Sequence, residues 1–99
     1  MNKKIDTPIL EGLYKAILTL ETVEECKAFF QDLCTVTELK SMAQRMEVAR
    51  LLHNNEIYSE VAKRTGASTA TISRVSRCLN YGSDGYLIAL DRLEGKKDV

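Results

Sequence analysis

At 99 residues the chain has room for one domain, and a composition of 44% apolar and 28% charged residues is typical of a globular protein, not a disordered one. No apolar run is long enough to span a membrane, and the N-terminus lacks the apolar core of a signal peptide, so we expect a single cytoplasmic domain over residues 1–99. The 14 basic and 14 acidic residues give zero net charge, which argues against a uniformly basic nucleic-acid-binding chain.

Apolar residues recur at helical spacing in the first third of the chain and predict two helices. The first runs from about Pro8 to Leu20, with Pro8 in the first turn, where its missing N–H loses no hydrogen bond. Thr22 followed by Glu25 makes a capping box that starts the second helix. The apolar stripes of these two helices are broad and comprise Leu10, Leu13, Tyr14, Ile17, Leu18, Val23, Cys26, Phe29, Phe30 and Leu33.

A third and longer helix is predicted in the middle of the chain. Thr35 with Glu38 makes a second capping box, and the apolar stripe that follows continues to about His53. Asn54 and Asn55 end this helix, because asparagine tolerates the left-handed conformation that often follows a helix.

Residues 58–79, YSEVAKRTGASTATISRVSRCL, indicate two short helices joined by a tight turn, which is the helix-turn-helix used to read DNA. Gly66 supplies the positive φ that ends the first helix without a Cβ clash. Ala67 is small enough for the corner, and Ser68 is a good N-cap for the second helix. The apolar face of that second helix comprises Ile72, Val75 and Leu79.

The other face of the second helix carries short hydroxyl and methyl groups followed by arginines, a pattern that suits a helix whose first turn enters the major groove. Basic residues also concentrate here, since residues 57–81 carry four of them against Glu60 alone. We therefore expect double-stranded DNA as the partner, although an ordinary surface hairpin is the alternative. The candidate contact residues are Lys63, Arg64, Ser68, Thr69, Ala70, Thr71, Ser73, Arg74 and Arg77.

A last helix is predicted after a break at Tyr81 and Gly82. Ser83 can cap it and Gly95 can end it, which leaves residues 96–99 as a frayed tail. The residues expected to face inward from this helix are Tyr86, Leu87, Leu90 and Leu93. The sequence thus predicts an all-α fold of about six helices.

The broad apolar stripes of the first two helices predict a homodimer. A domain this small buries only a limited part of its surface, so a lone helical bundle would leave some of these side chains exposed. Pairing two chains through the N-terminal helices would cover these side chains. It would also present the second helix of each helix-turn-helix, called the reading helix, to successive turns of DNA, about 34 Å apart. A monomer whose helices cover each other fully is the alternative.

Several residues together carry a family resemblance: the T-x-x-E start at Thr35, then Arg45, the pair Leu51 and Leu52, and the run GAS-x-ATISR over residues 66–74. Through them residues 33–79 resemble the Trp repressor family, and most closely its TrpR-like YerC/YecD subgroup. The resemblance implies an intertwined all-helical homodimer that regulates transcription. It also implies DNA contacts from the start of the reading helix, at Thr69, Ala70, Thr71 and Ser73.

The resemblance also raises the question of an effector. In the family's namesake, tryptophan binds between two arginines whose positions match Arg45 and Arg74, and Thr35 matches a further pocket position, so a small carboxylate effector is conceivable. Val75, however, replaces a glycine and would occupy the space of the indole, and Cys78 replaces the serine that meets the amine of the ligand. We therefore expect no tryptophan and no other cofactor.

The leading hypothesis is a sequence-specific transcriptional regulator, acting as a repressor, that binds DNA as a homodimer. The alternative is a helix-turn-helix adaptor that binds proteins without strong DNA binding, which zero net charge and an acidic N-terminal third favour. An enzyme is not expected, because the chain has no Gly-rich phosphate loop and its one histidine lacks a partner motif. The three cysteines form no CxxC pair and are expected to be small buried residues, not metal ligands.

Overall fold

The computed structural model of the protein describes residues 7–95, which form six α-helices and no strand. In chain order these are α1 (Thr7–Leu18), α2 (Val23–Leu33), α3 (Val36–His53), α4 (Tyr58–Thr65), α5 (Thr69–Tyr81) and α6 (Gly85–Gly95). The predicted all-α class is confirmed. The predicted tail, residues 96–99, lies outside the described residues.

The chain divides into two compact units, one ending at Leu39 and the other beginning at Lys40. The expectation of a single domain stays a prediction. Among the described helices, none combines the length and the apolarity that crossing a bilayer requires.

In the N-terminal unit, α1 and α2 contain no buried residue. α1 ends at Leu18, two residues before the predicted end. The chain then turns, and the backbone N–H groups of Thr19 and Leu20 donate hydrogen bonds in this turn. Thr22 caps α2 as predicted, since its Oγ1 accepts from the Glu25 N–H at 3.0 Å. The second hydrogen bond of the predicted capping box differs. The Glu25 carboxylate accepts from the Glu21 N–H at 2.8 Å and not from the Thr22 N–H.

The start and the end of α3 follow the predicted local chemistry. Thr35 Oγ1 accepts from the Glu38 N–H at 3.1 Å, and Glu38 Oε1 accepts from the Thr35 N–H at 2.8 Å, so the capping box is reciprocal. After His53 the chain turns through Asn54 and Asn55, and Asn55 takes the left-handed conformation with φ of 68°.

The core of the second unit is built from the inward faces of four helices and the turn between two of them. α5 packs against both α4 and α6, and its inner face is held by burial of aliphatic side chains, each of which contributes about 1.5–3 kcal/mol. The buried residues are Val48, Ala49 and Leu51 of α3, Val61 of α4, Ala67 of the turn, Ile72 and Val75 of α5, and Leu90 of α6.

Three sequence predictions about side chains are wrong. α6 begins at Gly85, so its cap position falls on Asp84 and not on Ser83; Asp84 has φ of 67° and its carbonyl accepts from the Ile88 N–H at 2.9 Å. Leu93 is 57% exposed, because the buried stripe of α6 is narrow and centred on Leu90. Cys26 is exposed, since α2 buries no residue.

Candidate nucleic-acid interface

The helix-turn-helix has the predicted turn. α4 ends at Thr65, and Gly66 follows in the left-handed conformation with φ of 74°, its N–H donating to the Ala62 carbonyl at 2.8 Å. Ala67 is only 6% exposed, so the corner of the turn lies inside the core. The prediction that Gly66 ends one helix and that a small residue fills the corner is confirmed.

Ser68 caps α5, the second helix of the helix-turn-helix, as predicted. Its Oγ accepts from the Thr71 N–H at 3.1 Å, and its hydroxyl donates to Thr71 Oγ1, also at 3.1 Å. A threonine hydroxyl has one donor and two acceptor sites, so this bond leaves the hydroxyl proton of Thr71 available to another acceptor. The first turn of α5 is therefore held in place while it keeps polar groups at its surface.

The two faces of α5 differ sharply in burial. Ile72 and Val75 are each 1% exposed and fix the helix to the core. Of the candidate contact residues on α5 or at its cap, Thr71 and Ser73 are half-buried, and the exposed ones are Ser68, Thr69, Ala70, Arg74 and Arg77. The arrangement can present short polar groups to base edges at the start of α5, with guanidinium groups further along the helix for phosphates.

The basic patch is weaker than the sequence predicts, because part of it is paired with acids. Lys63 and Arg64 are exposed in the last turn of α4, but Arg64 Nη1 lies 3.6 Å from Glu56 Oε2. Glu56 lies one residue before residues 57–81, the segment in which basic residues are concentrated. The charge count of that segment therefore does not include the acid that pairs with Arg64.

A second ion pair lies on α3. Arg50 donates to the carboxylate of Glu47 through Nε at 3.0 Å and also through Nη2. The hydrogen bond from Arg50 holds the pKa of Glu47 below its usual value, and the charge of Arg64 lowers this pKa further. Because Arg64 interacts electrostatically with both glutamates, its positive charge is partly compensated.

Replacing Glu56 by glutamine should strengthen binding to any duplex by about two- to fivefold, because it releases Arg64 from an exposed ion pair without removing a buried contact. Fluorescence anisotropy with a random duplex measures the change. Glu94→Gln, at an exposed position of α6, is the control for net charge alone. An equal gain in both variants would contradict a specific role for the Glu56–Arg64 pair.

The residues that match an effector pocket are already engaged or exposed. Arg45 Nη1 donates to Ser41 Oγ at 2.7 Å, Thr35 caps α3, and Arg74 is exposed. Neither arginine lines the groove of about 510 Å³ that has Leu52, Leu79 and Leu87 among its walls. Val75 is buried in the core of the second unit. No cluster of three or more histidine, cysteine or acidic side chains suited to a metal occurs within residues 7–95.

Two residues that matter for the reading helix escaped the sequence analysis. Gln44 of α3 donates from Nε2 to the Thr65 carbonyl at 3.2 Å, across 21 residues of sequence. Thr65 donates from Oγ1 to the Val61 carbonyl at 2.7 Å and accepts from the Ala67 N–H at 3.1 Å. The role of Thr65 could have been found from the sequence, because a threonine at the end of a helix often bonds to nearby backbone groups. The contact of Gln44 depends on how α3 packs, so no local sequence pattern predicts it.

Comparison with known proteins gives consistent matches. A family model described as Trp repressor protein matches residues 9–94. YerC of Bacillus subtilis (strain 168), described as an uncharacterised protein, is 56% identical over 85 residues, which cover 86% of this chain and 82% of YerC.

Two solved structures are similar over most of their length. A TrpR-like protein from Eubacterium eligens ATCC 27750 has a TM-score of 0.88 and 49% identity, covering 94% of this chain and 96% of its own. A protein from Staphylococcus aureus, provisionally assigned as a Trp repressor, has a TM-score of 0.85 and 49% identity, covering 88% of this chain and 87% of its own.

Proposed function

This chain belongs to the Trp repressor family, in its TrpR-like YerC subgroup, and on that premise we propose that it is a sequence-specific DNA-binding transcriptional regulator that acts as a repressor. The observation that carries the proposal is the reading helix α5. Its apolar face is fixed in the core, its first turn is capped by Ser68, and short polar side chains remain exposed there. A regulator that acts on chromosomal DNA would work in the cytoplasm of a bacterial cell.

We divide the contacts by chemistry. Thr69, Thr71 and Ser73 would reach base edges with hydroxyl groups, which can donate or accept, and Ala70 would contact a thymine methyl. Since hydroxyl groups accept several bases, discrimination at each contact should be modest. The phosphate contacts would come from Lys63, Arg64, Arg74 and Arg77, with Ser68 holding the helix start.

A homodimer fits the exposed apolar side chains of the N-terminal unit. Ile9 and Leu18 of α1 and Val23 of α2 are each more than 70% exposed. Large apolar side chains that the folded chain leaves exposed favour contact with another protein. We propose that a second copy covers it, as in an intertwined dimer, so that two reading helices meet one duplex.

We propose that no tryptophan or other small carboxylate effector is needed. The fully buried Val75 fills space that an effector would require, and a close-packed site resists an added group. Adding L-tryptophan should therefore leave the operator Kd unchanged to within about twofold, measured by fluorescence anisotropy. A tenfold gain in affinity would contradict this and would assign Arg45 and Arg74 to an effector site.

Thr71→Ala and Arg77→Ala should separate base reading from phosphate attraction. Thr71→Ala should weaken operator binding by about 0.5–1.5 kcal/mol, the net effect of one hydrogen bond, with little change on random duplex. Arg77→Ala should weaken both and lower the slope of log Kd against log salt by about 0.9, the loss of one phosphate contact. Equal losses of Thr71→Ala on operator and on random duplex would contradict base reading by Thr71.

A gel shift over random genomic fragments, with salt varied, tests the proposal directly. Micromolar or tighter binding that falls steeply with salt supports it, and the recovered fragments supply an operator. The second candidate, a protein-binding adaptor, is favoured by the paired charge of Arg64 and by zero net charge. An absent or salt-indifferent shift would support the adaptor.

A further inference from the structure

A side chain of α3 holds the turn between α4 and α5. Gln44 donates from Nε2 to the Thr65 carbonyl at 3.2 Å, in a half-buried position. Thr65 is the last residue of α4, so its carbonyl is one of those that have no partner within the helix. The bond ties this helix end to α3, which is itself fixed by Val48 and Ala49, both fully buried.

Thr65 passes this constraint on to the reading helix. Its Oγ1 donates to the Val61 carbonyl at 2.7 Å and accepts from the Ala67 N–H at 3.1 Å, so one side chain bonds both α4 and the middle of the turn. Only residues 66–68 separate Thr65 from the first residue of α5. A displacement of the Thr65 backbone would therefore move the start of α5.

We propose that Gln44 is a positioning residue for DNA recognition, which sets where the first turn of α5 lies by holding the carbonyl of Thr65. This inference rests on the proposed function. Hydrogen bonds to base edges need donor and acceptor within about 2.7–3.2 Å, so a small displacement weakens them. Attraction between basic side chains and phosphates falls gradually with distance and tolerates the same displacement. Loss of the Gln44 bond should reduce discrimination between sequences while sparing general affinity.

Gln44→Met tests the proposal, because methionine has a similar length and no donor. We expect its operator Kd to rise about tenfold, the effect of one lost hydrogen bond, while the Kd for a scrambled duplex changes less than about twofold. Gln31→Met, at an exposed position of α2, is the matched control and should leave both unchanged. An unchanged ratio of the two Kd values for Gln44→Met, or equal losses on both duplexes, would overturn the proposal.

Gln44→Lys separates positioning from loss of folding. Its ammonium group keeps a donor for a carbonyl at a helix C-terminus, where a cation is favoured. We expect Gln44→Lys to preserve the ratio of operator to scrambled Kd within about threefold, even though its added charge strengthens binding to both duplexes. A loss of this ratio as large as in Gln44→Met would show that the donor is irrelevant.

Hydrogen exchange provides a readout that needs no DNA. In Gln44→Met the amide of Ala67, bonded to Thr65 Oγ1, should exchange about tenfold faster, while the amide of Ile72 within α5 keeps its wild-type rate. Unchanged exchange at Ala67 would refute the role of Gln44 in the turn. If the wild-type protein binds operator and scrambled duplex with equal Kd, the proposed function is wrong. The exchange rates then still show whether Gln44 holds the turn.

Discussion

Replacing Leu18 and Val23 together by glutamate is expected to convert the proposed dimer into a monomer and to weaken operator binding by about a hundredfold. These side chains are 83% and 78% exposed in the single chain and lie outside the buried core, so the charges should leave the core of the second unit intact. In a dimer they would have to be buried, and burial of an unpaired carboxylate is strongly unfavourable. A monomer also loses the second reading helix, whose binding is intramolecular once the first has bound.

Sedimentation velocity at the concentration used for DNA binding measures the first effect, and fluorescence anisotropy with the operator measures the second. The matched control replaces Leu18 by methionine and Val23 by isoleucine, which keeps both positions apolar and should preserve the dimer. A charged variant that stays dimeric and retains full affinity would place the dimer contact elsewhere. A monomeric wild type would refute the dimer itself.

Replacing Ile72 by alanine should lower the free energy of unfolding by about 2–5 kcal/mol, because it leaves a cavity beneath the reading helix. Ile72 is 1% exposed and belongs to the cluster that joins α5 to α3, α4 and α6. Urea denaturation followed by circular dichroism measures the change at a fixed protomer concentration, since the stability of a dimer depends on concentration.

Ile72→Val is the matched control for that substitution. It removes one methylene from the same site and should lower the free energy of unfolding by only about 0.5–1.5 kcal/mol. If Ile72→Ala lowered it by no more than Ile72→Val does, α5 would not depend on this contact. The core would then not be what positions the reading helix.

Features governed by neighbouring residues could be predicted from the sequence. Gly66 in the turn, the caps at Ser68 and Thr35, and the left-handed Asn55 all follow from backbone chemistry that acts over one helical turn. Burial of the apolar face of α5, including Val75, could also be predicted, because helical spacing determines which residues lie on the same face of a helix.

Features governed by tertiary packing could not be predicted in this way. The bond from Gln44 to Thr65 and the ion pair of Arg64 with Glu56 join different elements of the chain. The exposure of Leu93 depends on how wide a stripe α6 buries, which apolar spacing alone does not determine. Sequence could therefore identify the second helix of the helix-turn-helix and its polar face, but not what holds the start of that helix or that Arg64 of α4 is paired with an acid.

The most direct test of DNA recognition by a dimer is a hydroxyl-radical footprint on the operator recovered from the gel shift. We expect two protected windows related by twofold symmetry, with centres about 10 base pairs apart, because each protomer places one α5 in the major groove on the same side of the duplex. A single window, or uniform protection along the fragment, would contradict symmetric recognition by paired reading helices.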